Sequence, residues 1–113
     1  MIMLRVPLDD TYESEEDRVT YNGVWLTGVA VETRDDGTLL GETTFKNGIQ
    51  DGPERAWWPG GGLRLERVYD YGLPVHEREW HANGQLAHEV HLDRGRLVSQ
   101  EWWDEAGNPI SRP

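Results

Sequence analysis

The chain has 113 residues, of which 21 are acidic and 11 basic, giving a net charge of −10. That length predicts one domain, and that charge disfavours nucleic acid and anionic membranes as partners, because both repel an acidic surface. Cysteine is absent, which excludes disulfides, thiolate-held zinc and a thiol nucleophile.

Residues 1–20 read as an acidic N-terminal arm. The opening MIMLRVPLDD has too short an apolar stretch for a secretory signal, and no run in the chain approaches the roughly 20 apolar residues that span a bilayer. A cytoplasmic protein is therefore expected. Met3 to Val6 fits a short strand, and Asp9 to Asp17 a loop or a single helical turn. Asp9, Asp10, Glu13, Glu15, Glu16 and Asp17 face only Arg5 and Arg18 in this segment. Such a run is a solvated arm or a docking arm for a basic partner.

From Tyr21 a repeat begins, and residues 21–113 read as a repeat domain. Turn glycines of one kind fall at Gly23, Gly48, Gly72 and Gly95, and of a second kind at Gly37, Gly62, Gly84 and Gly107. Two interleaved series sharing a period of about 23 residues mark a repeat architecture. Asn22-Gly23, Asn47-Gly48 and Asn83-Gly84 are turn words. Between the turns the residues alternate, as in half-exposed strands. Phe45, Tyr69, Leu92, Leu39, Leu63, Leu65, Leu86 and Val90 share one parity; Glu42, Thr44, Arg64, Glu66, Glu89 and His91 share the other. One face of the sheet is expected to be apolar and the other wet. The fourth unit shortens to Pro109–Pro113, a proline-bearing stub suited to an edge.

Trp58, Trp80 and Trp103 each precede a turn of the second kind, with Thr33 in the first unit. They are expected to stack as the core of the sheet, closed by the N-terminal arm. Trp57 and Trp102 take the other parity and are expected on the wet face. Aromatic rings there are candidate anchors for a partner.

The units FKNGIQDGPERAWWPGGGL, YDYGLPVHEREWHANGQL and LDRGRLVSQEWWDEAGNP resemble the MORN-like family and, more narrowly, the YwqK-type antitoxins. The resemblance covers Tyr21 to about Pro109. Two departures stand out: the mid-unit glycine, present as Gly28 and Gly52, is His76 and Ser99 later on, and the first unit lacks its strand-end Trp. The resemblance implies a repeat of β-hairpins and neutralisation of a toxin, or at least protein binding.

Chemistry of other kinds is weakly signalled. His88 and His91 differ by an odd number on one strand and face opposite sides. His76 and His81 flank Trp80, and no spacing matches a zinc motif. Ser14, Ser99 and Ser111 occupy no nucleophile elbow. The pairs Glu77 with Glu79 and Asp35 with Asp36 lack the cleft that would separate their acidities. Gly60-Gly61-Gly62 has no Lys-Ser/Thr after it and is no phosphate loop.

The expected fold is all-β: a single-layer, twisted antiparallel meander of about four MORN-like hairpin repeats. The expected function is a non-enzymatic protein-binding module that masks a basic, toxin-like protein partner. The alternative is a scaffolding repeat that organises a complex. No catalytic, cofactor or metal residue is assigned, and oligomeric state is left open. The candidate partner-binding residues are Trp57, Trp102, Glu13, Glu15, Glu16 and Asp17.

Overall fold

The structure, a computed structural model, describes residues 3–111. The first two residues of the opening stretch and the last two of the expected stub lie outside the described residues.

Turn chemistry sets the plan. At Asn22-Gly23, Asn47-Gly48, Tyr71-Gly72 and Arg94-Gly95 both residues have positive φ. That is the signature of the two-residue type I′ hairpin, whose twist matches that of the strands it joins. These turns link β3 (Val19–Tyr21) to β4 (Val24–Trp25), β6 (Leu39–Lys46) to β7 (Ile49–Trp57), β8 (Leu63–Asp70) to β9 (Leu73–Trp80), and β10 (Leu86–Asp93) to β11 (Arg96–Trp103). Longer turns alternate with them. They join β5 (Gly28–Thr33) to β6, β7 to β8, β9 to β10, and β11 to β12 (Pro109–Ile110).

In each longer turn a glycine N–H bonds back to the carbonyl three residues earlier. The pairs are Gly37 to Arg34, Gly61 to Trp58, Gly84 to His81 and Gly107 to Asp104. The second unit therefore uses Gly61, not Gly62, and the series is spaced 24, 23 and 23. Three consecutive glycines hid this one-residue shift. It makes Trp57, Trp80 and Trp103 the equivalent strand-end residues. Trp58 instead occupies the turn position held elsewhere by Arg34, His81 and Asp104.

The large sheet has nine strands in the order β1-β5-β6-β7-β8-β9-β10-β11-β12. From β5 onward it is an antiparallel meander, as the hairpin lengths require. The N-terminal arm adds what alternation in the repeat did not foretell. Its β1 (Arg5–Pro7) pairs parallel to β5, making the sheet mixed. A 3₁₀ turn, Leu8–Asp10, leads to β2 (Thr11–Glu13), which pairs with β3 and β4 in a separate three-stranded sheet. The boundary expected between residues 20 and 21 falls inside β3. No α-helix occurs among the described residues.

The core sits where the arm meets the repeat. Val6, Leu26, Ala30 and Phe45 are buried together, with Val19 and Tyr21 packed against them. Close backbone approach makes this possible. A Cβ on Gly28 would lie 2.5 Å from the Leu4 carbonyl oxygen, and one on Gly48 would lie 2.8 Å from Val19 O. The expected tryptophan core is not found, since no Trp is among the buried residues. The arm closes the β5–β6 end of the sheet instead.

The two faces follow from register. On one face lies the row Val6, Ala30, Thr43, Glu54, Arg67, Glu77, Val90 and Gln100. Beside it runs Gly41, Ala56, Leu65, Glu79, His88 and Trp102. Phe45, Leu65 and Val90, all of the expected apolar parity, are buried. The same face nevertheless carries Glu54, Arg67, Glu77 and Glu79. The opposite face carries Glu42, Arg55, Glu66, Arg78, Glu89 and Glu101 in one row. Arg5 pairs there with Glu42, Arg55 with Glu66 at 2.8 Å and Arg78 with Glu89 at 2.6 Å. Cross-strand ion pairs of this kind contribute roughly 0.2–1 kcal/mol each, which suits a sheet without a second layer.

Candidate functional site

The acidic residues sit on a built hairpin. The Ser14 N–H bonds to Arg18 O at 2.8 Å, and Asp17 N–H to Ser14 O at 3.0 Å. The Ser14 hydroxyl oxygen also accepts from the N–H groups of Glu16 and Arg18. Asp17 takes a positive φ to complete the turn. Glu13, Glu15, Glu16 and Asp17 are thereby held exposed at one end of the small sheet. Asp9 and Asp10, in the 3₁₀ turn, are exposed too.

Beside this loop lie two aromatic rings. Tyr12 pairs with Thr20 and Thr20 with Trp25, so the three share a face. Tyr12 is 71% exposed and Trp25 42%. The Arg18 guanidinium lies 3.9 Å from the Trp25 ring centroid and donates to Asn47 O at 3.1 Å. That cation–π contact and hydrogen bond orient the indole and cover one of its faces. The small sheet is tied to the repeat by main-chain bonds from Val19 N–H to Gly48 O and from Gly48 N–H to Leu26 O.

Trp57 and Trp102 do not join this surface or each other. Trp57 pairs with Leu63 beyond a bulge that follows Ala56, and it is a member of the strand-end series with Trp80 and Trp103. Its carbonyl accepts from Arg34, just as the Trp103 carbonyl meets His81 Nε2 at 2.8 Å. Two of the longer turns, through Arg34 and His81, thus grip the strand end of the next unit. Trp57 and Trp58 line an open cavity of about 400 Å³ with Arg34, Leu39 and Gly60. Trp102 lies in the row of Leu65 and His88, which corrects its expected place on the wet side. It stacks on His88 with 4.7 Å between centroids and 12° between planes. Both rings are half-buried. Four strand spacings separate β7 from β11, roughly 19 Å.

Two clusters of titratable groups lie elsewhere. On the Leu65 face, Arg67 bridges Glu54 at 3.6 Å and Glu77 at 3.3 Å. Burial, then the hydrogen bond with Glu77, holds the Glu79 carboxyl above its usual range. Burial, reinforced by Glu54, pushes the Tyr69 hydroxyl up. An open cavity of about 310 Å³ reaches from Leu8 to Glu54 and Arg67. Arg67 sits between the two carboxylates and ties β7, β8 and β9 together.

On the charged face, His76 of β9 pairs directly with His91 of β10. Glu89 lies 3.8 Å from His76 Nε2 and 3.3 Å from His91 Nε2. The Arg78 hydrogen bond holds the Glu89 carboxyl below its usual value. Burial, then the charges of Arg78 and His91, lowers the His76 imidazole.

No protein-family model, curated protein or solved structure matches the chain. Among the described residues no helix is long and apolar enough to cross a membrane.

Sequence reasoning missed Tyr12 and Trp25 as surface aromatics, and His76 with His91 as a pair. Tyr12 lay inside a segment read for its charge alone. Trp25 falls outside the strand-end series by which the other tryptophans are read. The histidines are distant in sequence, and only strand register brings them together.

Proposed function

We propose that this chain is a non-enzymatic protein-binding module of antitoxin or immunity type, and that its small N-terminal sheet docks a basic protein partner. One observation carries the reading: Tyr12 and Trp25 stand exposed on one face of that sheet, beside Glu13, Glu15, Glu16 and Asp17 on a braced hairpin. Aromatic anchors in a charged surround are the usual make-up of an energetic interface centre and its rim. The acidic loop steers a basic partner in, and salt weakens that steering, because the Debye length falls from about 10 Å at 0.1 M to about 3 Å at 1 M. The aromatic rings govern release.

Affinity capture from the source cell, followed by mass spectrometry, supplies the partner. Neutralising Glu13, Glu15, Glu16 and Asp17 together then slows association and flattens its salt dependence. Tyr12→Ala and Trp25→Ala speed dissociation. An acidic partner, or unchanged rates in all of these variants, overturns the reading.

A scaffolding repeat is the second reading, and the sheet edge favours it. Among the described residues β12 pairs only with Trp102 and Trp103, so the outer edge of β11 from Arg96 to Glu101 has no strand beside it. Such an edge accepts an added strand from another chain. A captured partner whose own activity is untouched by binding favours scaffolding over masking.

A further inference from the structure

We propose that His76, Glu89 and His91 form a site for a zinc-class divalent cation on the charged face of the sheet. The site does not depend on the partner surface described above. Register builds it: His76 and His91 are directly opposed across β9 and β10, and Glu89 stands two residues before His91, on the same face. The two imidazole centroids are 4.7 Å apart. One ligand atom from each of the three residues lies within 4.8 Å of the others.

The distances are close to what an ion needs. Bonds of about 2.0–2.1 Å in a tetrahedral shell put ligand atoms about 3.3–3.4 Å apart. His91 Nε2 and Glu89 Oε1 are already at 3.3 Å, and His76 offers a ring nitrogen within the same 4.8 Å cluster. Two imidazoles and a carboxylate suit Zn²⁺, Co²⁺ or Ni²⁺ and not Mg²⁺ or Ca²⁺, which take oxygen ligands. Three protein ligands leave a fourth position for water.

The surroundings divide the labour on Glu89. Arg78 Nε donates to Oε2 at 2.6 Å, which leaves Oε1 for the ion. Ligating carboxylates are commonly held by a hydrogen bond of this kind. The Arg78 charge opposes a cation, while Glu66 and Glu101, in register on either side of the Arg78–Glu89 pair, offset it. His76 makes no hydrogen bond among the described residues, so its ring gives up no partner on binding an ion. An ion here cross-links two strands in the part of the sheet that lacks a second layer.

The test is titration of the full chain, stripped with chelator, with ZnCl₂ by calorimetry, together with the visible spectrum of the Co²⁺-loaded protein. Expected are one ion per chain, a Zn²⁺-dependent rise in melting temperature absent with Mg²⁺, and at least a tenfold loss of affinity in His76→Ala and His91→Ala. His81→Ala and His88→Ala, whose rings lie off the site, retain the wild-type affinity. His91 is the most exposed ligand, so His91→Gln keeps the test open if His76→Ala does not fold. Absence of Zn²⁺ binding by the wild-type chain, or binding that survives both His76→Ala and His91→Gln, overturns the proposal.

Discussion

At one end of the sheet, Val6 and Ala30 are 2% exposed on adjacent strands; at the other, Leu97 and Val98 are 56% and 65% exposed. Both ends are built from paired strands, and only what lies above them differs. Around β5 and β6 the folded N-terminal arm covers the sheet and creates a second layer. Around β10 and β11 cross-strand pairs must suffice: Arg78 with Glu89, His88 on Trp102, and His81 with the Trp103 carbonyl. A repeat can propagate a sheet and bury single residues such as Leu65 and Val90, but the buried cluster forms where the arm packs on it.

The largest expected effect tests that contrast. Leu26→Ala removes the most deeply buried large side chain and costs about 3–4 kcal/mol, because the cavity it leaves is enclosed. Leu97→Ala, on exposed β11, costs less than about 0.5 kcal/mol. Denaturant melts of the two variants compare the ends directly. Equal losses would mean that the arm contributes no core.

The docking of the arm can be isolated with two glycines of identical turn geometry. Gly48 and Gly95 both have φ of 80°. A Cβ on Gly48 would meet Arg18 Cβ and Val19 O, each at 2.8 Å, whereas one on Gly95 would meet nothing within 4 Å. Gly95→Ala therefore costs only left-handed strain, about 1–2 kcal/mol. Gly48→Ala adds displacement of β3 and costs roughly 3 kcal/mol in all. If the two lose equal stability in melts, the main-chain contact between β3 and the Gly48 turn carries no energy.

The tryptophans sharpen the comparison from the side of the repeat. Trp57 and Trp80 hold the same structural position and are both half-buried. Each change to Ala is expected to cost about 2 kcal/mol, the share of a partly covered aromatic ring. Numbering from Gly62 would instead pair Trp58 with Trp80 and make Trp57 the inexpensive one. A loss for Trp57→Ala far below that of Trp80→Ala would restore that older register.

Much of the fold was legible because alternation and turn words are local. Asn22-Gly23 and Asn47-Gly48 announce type I′ hairpins, Asn83-Gly84 announces a turn of the longer kind, and Phe45, Leu65 and Val90 announce the covered face. Three consecutive glycines offer two valid turn registers, and only the Gly61 to Trp58 hydrogen bond decides between them. The arm was obscured by its acids, although Val6 and Val19 are there and pack with Leu26 and Phe45. Of the expected site residues, the four acids stand exposed together at one hairpin, Glu13 at the end of β2 and Glu15, Glu16 and Asp17 in its turn. Trp57 and Trp102 were grouped by parity counted from the wrong glycine. Opposition of His76 and His91 is a property of register between two strands, which no spacing on one strand reports.

Acid distinguishes the ends again. His76 has a folded pKa below its unfolded value of about 6.5, so the native state binds its proton less readily than the unfolded chain. Burial, then the charges of Arg78 and His91, disfavours the protonated ring in the native state, against a smaller opposing pull from Glu89 and Glu66. Stability is therefore full above about pH 6.5 and declines as the pH falls through the folded value. Melting temperatures of chelator-stripped protein between pH 8 and 5 should fall, and His76→Gln should flatten that decline. An unchanged slope in His76→Gln assigns the loss to other groups.

The smallest expected effect lies in the type I′ turns, where the two ends differ in chemistry. The N-terminal turns place Asn22 and Asn47 at the first left-handed position; the C-terminal ones place Tyr71 and Arg94 there. Left-handed φ brings Cβ against the following carbonyl, and asparagine tolerates it better than tyrosine or arginine. Tyr71 and Arg94 are both exposed, so little packing is lost on replacing them. The Tyr71 N–H bond to Asp51 Oδ1 comes from the backbone and survives substitution. Tyr71→Asn and Arg94→Asn should each stabilise by about 0.5–1 kcal/mol. As independent turns on different hairpins, they should add. The gain must appear as a higher denaturant midpoint at unchanged slope. A loss in both variants would show that the side chains at these turns, and not the backbone geometry, hold the exposed end of the sheet together.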